Sequence, residues 1–373
     1  MSKFSRARFA IAAAAIPVSL AVAAVPASAA VHPAAHPAAM TYSVTGGLNA
    51  VAAASDHSAW AVGYAGVSNL KVLMLHWNGT SWSRVTSPSV LTGTGELSAI
   101  KVVSAKDAWA VGSTGEARER SLILHWNGSA WKAVTSPKPV SNARLSAVTA
   151  TAKGGWAVGY RSTGETVLDT QPLIYRLSGK KWTRVDPSFG KGSGVVLNGV
   201  ATTSAGITFA TGLFTGQISG ELARWTGHSW KWVASFPERG TYHWLNGIAA
   251  GPHGGAYALG PNTARRGVIS IRWNGHAWVR ATAPASASPN AVTVAPGGTA
   301  WSAGSRFSGT RYHMLILRWN GHAWRTETGP STDGQLNGLG FAGAKYGWAV
   351  GATSPTSGEP KTFIAHWNGH SWS

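Results

Sequence analysis

The side chains able to do chemistry lie between the patterned stretches of this chain, not inside them. Glu116 and Glu119, and Glu165 and Asp169, are close enough in sequence to form carboxylate pairs. Two carboxyl groups about 5–9.5 Å apart across a cleft can hydrolyse a glycosidic bond, one protonating the leaving oxygen and the other attacking or activating water. Solvated loop acids are the simpler account of both pairs. Histidines recur at His228, His276, His322 and His370, each just after a turn glycine. Their spacing scatters them around a rim and does not gather them about one ion. His32 and His36 read as part of a spacer. With no cysteine there is no thiolate ligand or thiol nucleophile. Gly-x-Ser-x-Gly, His-Glu-x-x-His, EF-hand and P-loop motifs are all missing from the sequence. Neither a metal nor another cofactor is expected, and the chain reads more as a binder than as an enzyme.

Binding chemistry is better represented. Tyr160, Trp244 and Tyr312 offer flat apolar faces with a polar tip, and Arg161 and Arg239 offer planar donors for carboxylates. Asn49, Asn198, Asn246, Asn290 and Asn337, with Ser98 and Ser146 at the equivalent places, form a periodic set of small donors and acceptors. Bonding to neighbouring backbone is the plain alternative for that set.

The elements that must position these groups are repeats. His76-Trp77-Asn78-Gly79-Thr80-Ser81-Trp82 returns with changes ending at Trp131, Trp182, Trp230, Trp278, Trp324 and Trp372. Upstream of each copy lies a Leu-Asn-Ala-Val-like segment, starting at residues 48, 97, 145, 197, 245, 289 and 336. Next comes an aromatic three residues before a glycine, as in Trp60-Ala61-Val62-Gly63, and then an aliphatic run into Trp-Asn-Gly. Every segment is short, rich in β-branched or aromatic residues, and bounded by Gly, Asn, Pro or Ser. Four strands per unit and seven units at a period of 44 to 52 residues predict an all-β, seven-bladed β-propeller of four-stranded antiparallel blades.

The flanking tryptophans are expected to pack against the adjacent blade. The Asn-Gly pair predicts a type I′ turn, which needs φ > 0 at both positions. The residue before the first Trp is always basic (His76, His125, Arg176, Arg224, Arg272, Arg318, His366). It is expected to snorkel or bond a turn carbonyl, facing the small residue before the second Trp across the hairpin. Lys and Arg on the outermost strands fit exposed edges that must not pair with another sheet.

Chain direction then separates two faces. The first-to-second and third-to-fourth turns share one, and they are short and uniform. The second-to-third loops and the blade connections share the other, and they differ from blade to blade. Variable loops on a rigid scaffold are where binding usually resides, and every binding residue named above lies there or at the start of an innermost strand. Residues 41–45 have strand character and are expected to pair into the last blade, closing the ring between the chain's two ends.

Net charge is +19, with 32 Lys and Arg against 13 Asp and Glu. Weak binding to polyanions is one consequence; solubility is another. Lys3, Arg6 and Arg8 precede an apolar run and Ala27-Ser28-Ala29, the form of an export signal cleaved after Ala29. Cleavage takes the formal charge to +16. The organisation expected is a signal peptide over 1–29, a disordered leader over 30–40 and a propeller over 41–373, acting as a secreted monomer without a membrane span.

Gly155-Trp156-Ala157-Val158-Gly159, with the aliphatic strand and Gly-x-(Ser/Ala)-Trp that follow, resembles bacterial propellers of the BNR/Asp-box type and the photosystem II assembly-factor-like propellers. The likeness covers about residues 48–373. Gly79, Ser81 and Trp82 fall on the box's Gly, Thr and Trp positions, Leu75 on its Ser and Trp77 on its Asp, so the box is degenerate here. The resemblance implies the fold. It implies no single activity, because such propellers include sialidases, lectins and assembly scaffolds. The function expected is an exported binding module for an extracellular or cell-wall glycan or a protein partner. The alternatives are a carbohydrate-active hydrolase or lyase on the same scaffold, and a polyanion-binding basic protein.

Overall fold

The computed structural model describes residues 44–373 except 89–90, 92, 116–118, 136–139, 165–168, 190–193, 217–218, 236–242, 263–266 and 355. The described residues form seven antiparallel sheets in chain order, spanning 46–84, 95–133, 143–184, 195–235, 247–280, 287–327 and 334–367. Six sheets have four strands, each hydrogen-bonded to its neighbours in sequence. The seventh has three, continued by a single bridge between Trp367 and Trp372. This is the seven-bladed propeller that the repeats predict.

The core is divided. Seven clusters of buried side chains occupy the seven interfaces between adjacent blades. One of them joins Trp60, Val62 and Met74 of the first blade to Leu97, Leu122 and Trp131 of the second. Another joins Trp348, Val350 and Ile364 of the last blade to Leu48, Leu75 and Trp77 of the first. A blade is apolar on both faces, so no blade can bury its surface alone, and the ring exists because each blade completes its neighbour.

One aromatic motif recurs at these interfaces. Trp60 lies 4.9 Å from Trp126 and 5.2 Å from Trp131, both on the next blade. Trp348, Trp156, Phe209, Tyr257 and Trp301 meet the two aromatics of the following hairpin in the same way. In the third blade Leu177 takes the place of the first Trp, and Trp109 meets Trp182 alone of the pair. The expectation that the hairpin tryptophans pack between blades is borne out. Three indole N–H groups of the first-Trp set also donate to the first turn of their own blade: Trp77 to the Asp56 carbonyl, Trp126 to that of Ala105 and Trp367 to that of Ala344.

The basic residue before the first Trp has a different partner from the one expected. His76 sits opposite Ser83, not Ser81, on the fourth strand, and opposite Trp60 on the second. Its ring packs tilted against Trp60 at 4.2 Å, and His125 stacks on Trp109 at 4.1 Å. Arg176 and Arg318 lie over Trp156 and Trp301 at 5.6 and 5.0 Å. Each of these aromatics is therefore held between a cation or imidazole of its own blade and the tryptophans of the next.

The turn chemistry also differs. Among the described residues only Asn142 and Ser286 have positive φ without being glycine, so the Asn of Asn-Gly is not in a type I′ turn. Trp77 and Trp82 pair across a four-residue loop in which Gly79 alone has positive φ, at 97°. Asn is there for its side chain: Asn78 Oδ1 accepts from the backbone N–H of Thr80 and of Ser81, both at 2.9 Å. The same double capping recurs at Asn127, Asn274, Asn320 and Asn368. Such Asx turns mimic a backbone turn.

Ring closure follows the pattern of other blade connections. Gly95 donates to the Leu70 carbonyl where the second blade begins, and Ala143 to that of Glu119 where the third begins. Likewise Gly46 donates to the Pro360 carbonyl and Thr362 to that of Val44, with Thr45 and Lys361 bridged. Val44–Gly46 thus pair into the last blade as expected. The contact is with the start of its third strand; Trp372 and Ser373 pair with the far end of the same strand, at Trp367 and His366. Residues 41–43 of the predicted pairing segment lie outside the described residues.

Candidate functional site: the loop face and the channel mouth

The site is built on a bulge. In six blades the innermost strand slips register at the Asn or Ser of the Leu-Asn segment, as between Leu48 and Ala50 or Leu97 and Ala99. A bulge leaves one residue unpaired and re-aims its side chain. Here it brings the strand against the glycine of the aromatic-x-x-Gly motif on the second strand. A Cβ on Gly63 would collide with the Gly47 carbonyl and come within 2.8 Å of the Leu48 Cα. Gly112, Gly159, Gly212, Gly260, Gly304 and Gly351 are confined in the same way. The glycine of one strand is thus the condition for the asparagine of the other.

The freed side chains stitch the blades around the axis. Asn49 Nδ2 donates to the Leu97 carbonyl at 2.9 Å, Asn246 to Pro289 at 2.9 Å, Asn290 to Leu336 at 3.1 Å and Asn337 to Leu48 at 3.1 Å. Asn198 makes a longer contact with the Leu245 carbonyl, at 3.5 Å. Every one of these amides points to the following blade. Ser98 and Ser146 are too short to reach: the Ser98 hydroxyl is buried without a hydrogen-bond partner. All seven residues line the central channel, a cavity of 440 Å³. The asparagines therefore approach the channel mouth as expected, with their amide N–H groups engaged by backbone.

One residue earlier, the repeat stops agreeing. The positions before the segment's Leu or Pro are Gly47, Glu96, Arg144, Val196, Trp244, Ser288 and Gln335, at the loop-face end of the innermost strands. Glu96 and Arg144, on adjacent blades, form an ion pair, and Asn49 Nδ2 lies 3.4 Å from the other oxygen of Glu96. Burial lowers the Arg144 pKa, and the facing Tyr160 works against that shift. Tyr160 is the cross-strand partner of Arg144. Arg161 donates to Gln171 Oε1 at 2.6 Å, which orients its guanidinium along the blade. Trp244 is half-buried, with its carbonyl packed over Gly260. Tyr160, Arg144 and Glu96 are thus brought together; Trp244 and Tyr312 lie on other blades. Arg239, Glu116 and Glu165 lie outside the described residues, so the carboxylate separations are not defined. Glu119 is described, and burial raises its pKa.

The sixth blade carries an exposed aromatic pair on this face. Sequence reading puts an irregular loop over 305–313; the structure has paired strands there, with Arg306 opposite His313, Phe307 opposite Tyr312 and Ser308 opposite Arg311. Phe307 and Tyr312 are 51% and 44% exposed, with ring centroids 5.0 Å apart. At their base Asp333 accepts from Arg311 Nη1 and pairs with His313 Nδ1, both at 2.8 Å. These contacts, led by the Arg311 hydrogen bond, hold the Asp333 carboxyl below its ordinary range.

Other clefts lie on the hairpin face between blades. One of 220 Å³ is lined by Trp156, Arg176 and Trp225, and one of 330 Å³ by Tyr257, Arg272 and Trp273. Their arginines and aromatics belong to the inter-blade stacks. The four turn histidines are exposed on this face and spread over four blades. Among the described residues no group of three or more His, Cys, Asp or Glu is placed to hold a metal ion. No helix among them is long and apolar enough to cross a membrane.

No protein-family model matches the chain, and no curated protein matches it in sequence. Solved structures do match in shape. YCF48 bound to D1 peptide superposes with a TM-score of 0.56 at 15% identity, covering 88% of this chain and 94% of that one. Virginiamycin B lyase from Staphylococcus aureus gives 0.57 at 14% identity, covering 87% and 98%. The six-bladed fucose-recognising lectin of the fungus Aleuria aurantia gives 0.50 at 16% identity, covering 78% and 97%. At these identities the likeness is one of fold: this chain is a β-propeller, similar in shape to YCF48 and to other propellers whose ligands and reactions differ.

Proposed function

We propose that the protein is an exported, non-catalytic binding module whose loop face takes a glycan outside the cell or in its wall. The observation that carries this reading is the Phe307–Tyr312 pair. The hairpin tryptophans are consumed between blades, whereas these two rings stand side by side on the loop face, exposed. Arg306, Arg311 and His313 border them. Flat rings stack on the C–H faces of sugars, and the flanking donors meet hydroxyl or carboxylate oxygens. Trp244, Tyr160 and Arg161 near the channel mouth extend the same chemistry inward. That a fucose lectin and the peptide-bound YCF48 share the scaffold supports binding as its use, by analogy only.

A glycan array probed with the protein and with the double variant Phe307→Ala/Tyr312→Ala tests the proposal. Loss of at least ~10-fold in signal at unchanged melting temperature is expected. Capture of a protein partner by both forms alike, with no glycan bound, would replace the glycan by a protein. Export is tested by sequencing the N-terminus of protein recovered from the culture medium, which is expected to begin at Ala30.

One observation favours a second reading, a carbohydrate-active hydrolase or lyase: the raised pKa of Glu119 on the loop face, which is the direction a general acid needs. Turnover on a polysaccharide panel that disappears in Glu119→Gln would establish it.

A further inference from the structure

The central channel has an unequal wall. Each innermost strand ends its sheet, so its outer backbone edge faces the channel rather than another strand. The side chains lining the cavity are small or neutral, mostly Ala, Gly, Val, Thr and Asn, with one charge: Lys101. Its place in the repeat is defined by its cross-strand partner, Trp109. The residues opposite the same aromatic in the other six blades are Ala52, Thr149, Ala201, Ala249, Thr293 and Gly340. Lys101 is the one long side chain on that rung.

No Asp or Glu lines the channel among the described residues. The acid nearest on the same strand, Glu96, is engaged by Arg144 at the mouth. The Lys101 side chain is exposed to solvent within the channel and stands among small neutral groups without a carboxylate facing it; the surrounding wall lowers its pKa by desolvation. An unpaired cation in a channel walled by neutral groups concentrates the field there and attracts an anion. Nothing in the packing demands a lysine, since alanine, threonine or glycine serves on the other rungs.

We propose that the channel is a binding site for a carboxylate, with the Lys101 ammonium as counter-charge. The Thr149 and Thr293 hydroxyls stand on the same rung as further donors, and the open strand edges are available to the ligand's remaining polar groups. A cavity of 440 Å³ walled by small residues admits a slender group. The C-terminal end of an extended peptide and a uronic acid both satisfy that description, and carboxylate is their shared chemistry. This site goes beyond the loop-face reading and does not rest on it: the ligand is selected here by charge and there by stacking.

Calorimetry on the full chain with two matched pairs tests it: trialanine against trialanine amide, and glucuronate against glucose. The acid of at least one pair is expected to bind ~10-fold more tightly than its neutral counterpart, and the pair that discriminates identifies the source. Lys101→Ala, which installs the residue already present on three other rungs, is expected to fold normally and to abolish the discrimination; Lys101→Arg retains it. Equal binding within both pairs, no binding of either acid up to ~10 mM, or discrimination that survives in Lys101→Ala overturns the proposal.

Discussion

A methyl group added at Gly112 would have nowhere to go. Its Cβ would strike the Glu96 carbonyl and approach the Leu97 Cα to 2.8 Å, both of them backbone that cannot swing aside. Gly112→Ala is expected to destabilise the fold by ~3 kcal/mol, read as a lower midpoint in chemical denaturation. The fixed Gly of aromatic-x-x-Gly and the fixed Asn of Leu-Asn are both plain in the sequence. Their dependence on each other is not, because a bulge is a matter of strand register and leaves no residue type of its own. The turn Asn was misleading for a related reason: Asn suits both a left-handed backbone and an Asx cap, and only the φ angles separate the two. His76 gives a residue-scale test in pH. Burial lowers its pKa from the ordinary 6.5. The unfolded chain therefore takes up a proton first as pH falls, and the stability present above about 6.5 is lost progressively below it. His76→Phe should remove this contribution and flatten the acid side of the stability profile below about pH 6.5, measured by urea unfolding at a series of pH values.

For the blade as an element, stability is lent by the next blade. Trp60 is held between His76 of its own blade and Trp126 and Trp131 of the next. Trp60→Ala removes all three contacts and leaves a cavity, at a cost of ~3–5 kcal/mol in thermal or denaturant unfolding. The axial stitching invites the opposite experiment. Five blades donate an asparagine amide forward, whereas Ser98 and Ser146 fall short. Ser98→Asn and Ser146→Asn, with Leu145 and Leu197 carbonyls as the equivalent acceptors, should each raise stability by ~0.5–1.5 kcal/mol in the same assay. Blade number, strand order and the buried fate of the tryptophans were legible in the sequence, because period and hydrophobic pattern belong to the repeat. The loop face was legible only as the place where the copies diverge. Residues 305–308 and 311–313 read as loop because their alternation is charged and aromatic, yet cross-strand pairing of Phe307 with Tyr312 extends the sheet through them. Lys101 has a sequence signal of its own, one long residue at a position otherwise held by Ala, Thr or Gly.

At the scale of the whole molecule, the ring is held by seven similar interfaces, and the one between the last and first blades includes the contact of Val44–Gly46 with residues 360–362. Deleting residues 44–46 is expected to lower the denaturation midpoint, since it strips those backbone hydrogen bonds and the Val44 contact with the cluster between the last and first blades. The closing asparagine bond adds a consequence for folding kinetics. Four of the forward bonds join residues 43 to 48 positions apart, but Asn337 reaches Leu48 across 289. Loop-closure entropy grows only with the logarithm of length, so the long closure costs about 1.6 kcal/mol more than a short one. That is little for equilibrium and much for timing. Six interfaces can assemble from chain neighbours, whereas the seventh waits until both ends of the array are ordered. A curved stack of blades with its two end faces still exposed is thus the natural late species in refolding, and the burial of Trp348 against Trp77 and Trp82 is the event that ends it.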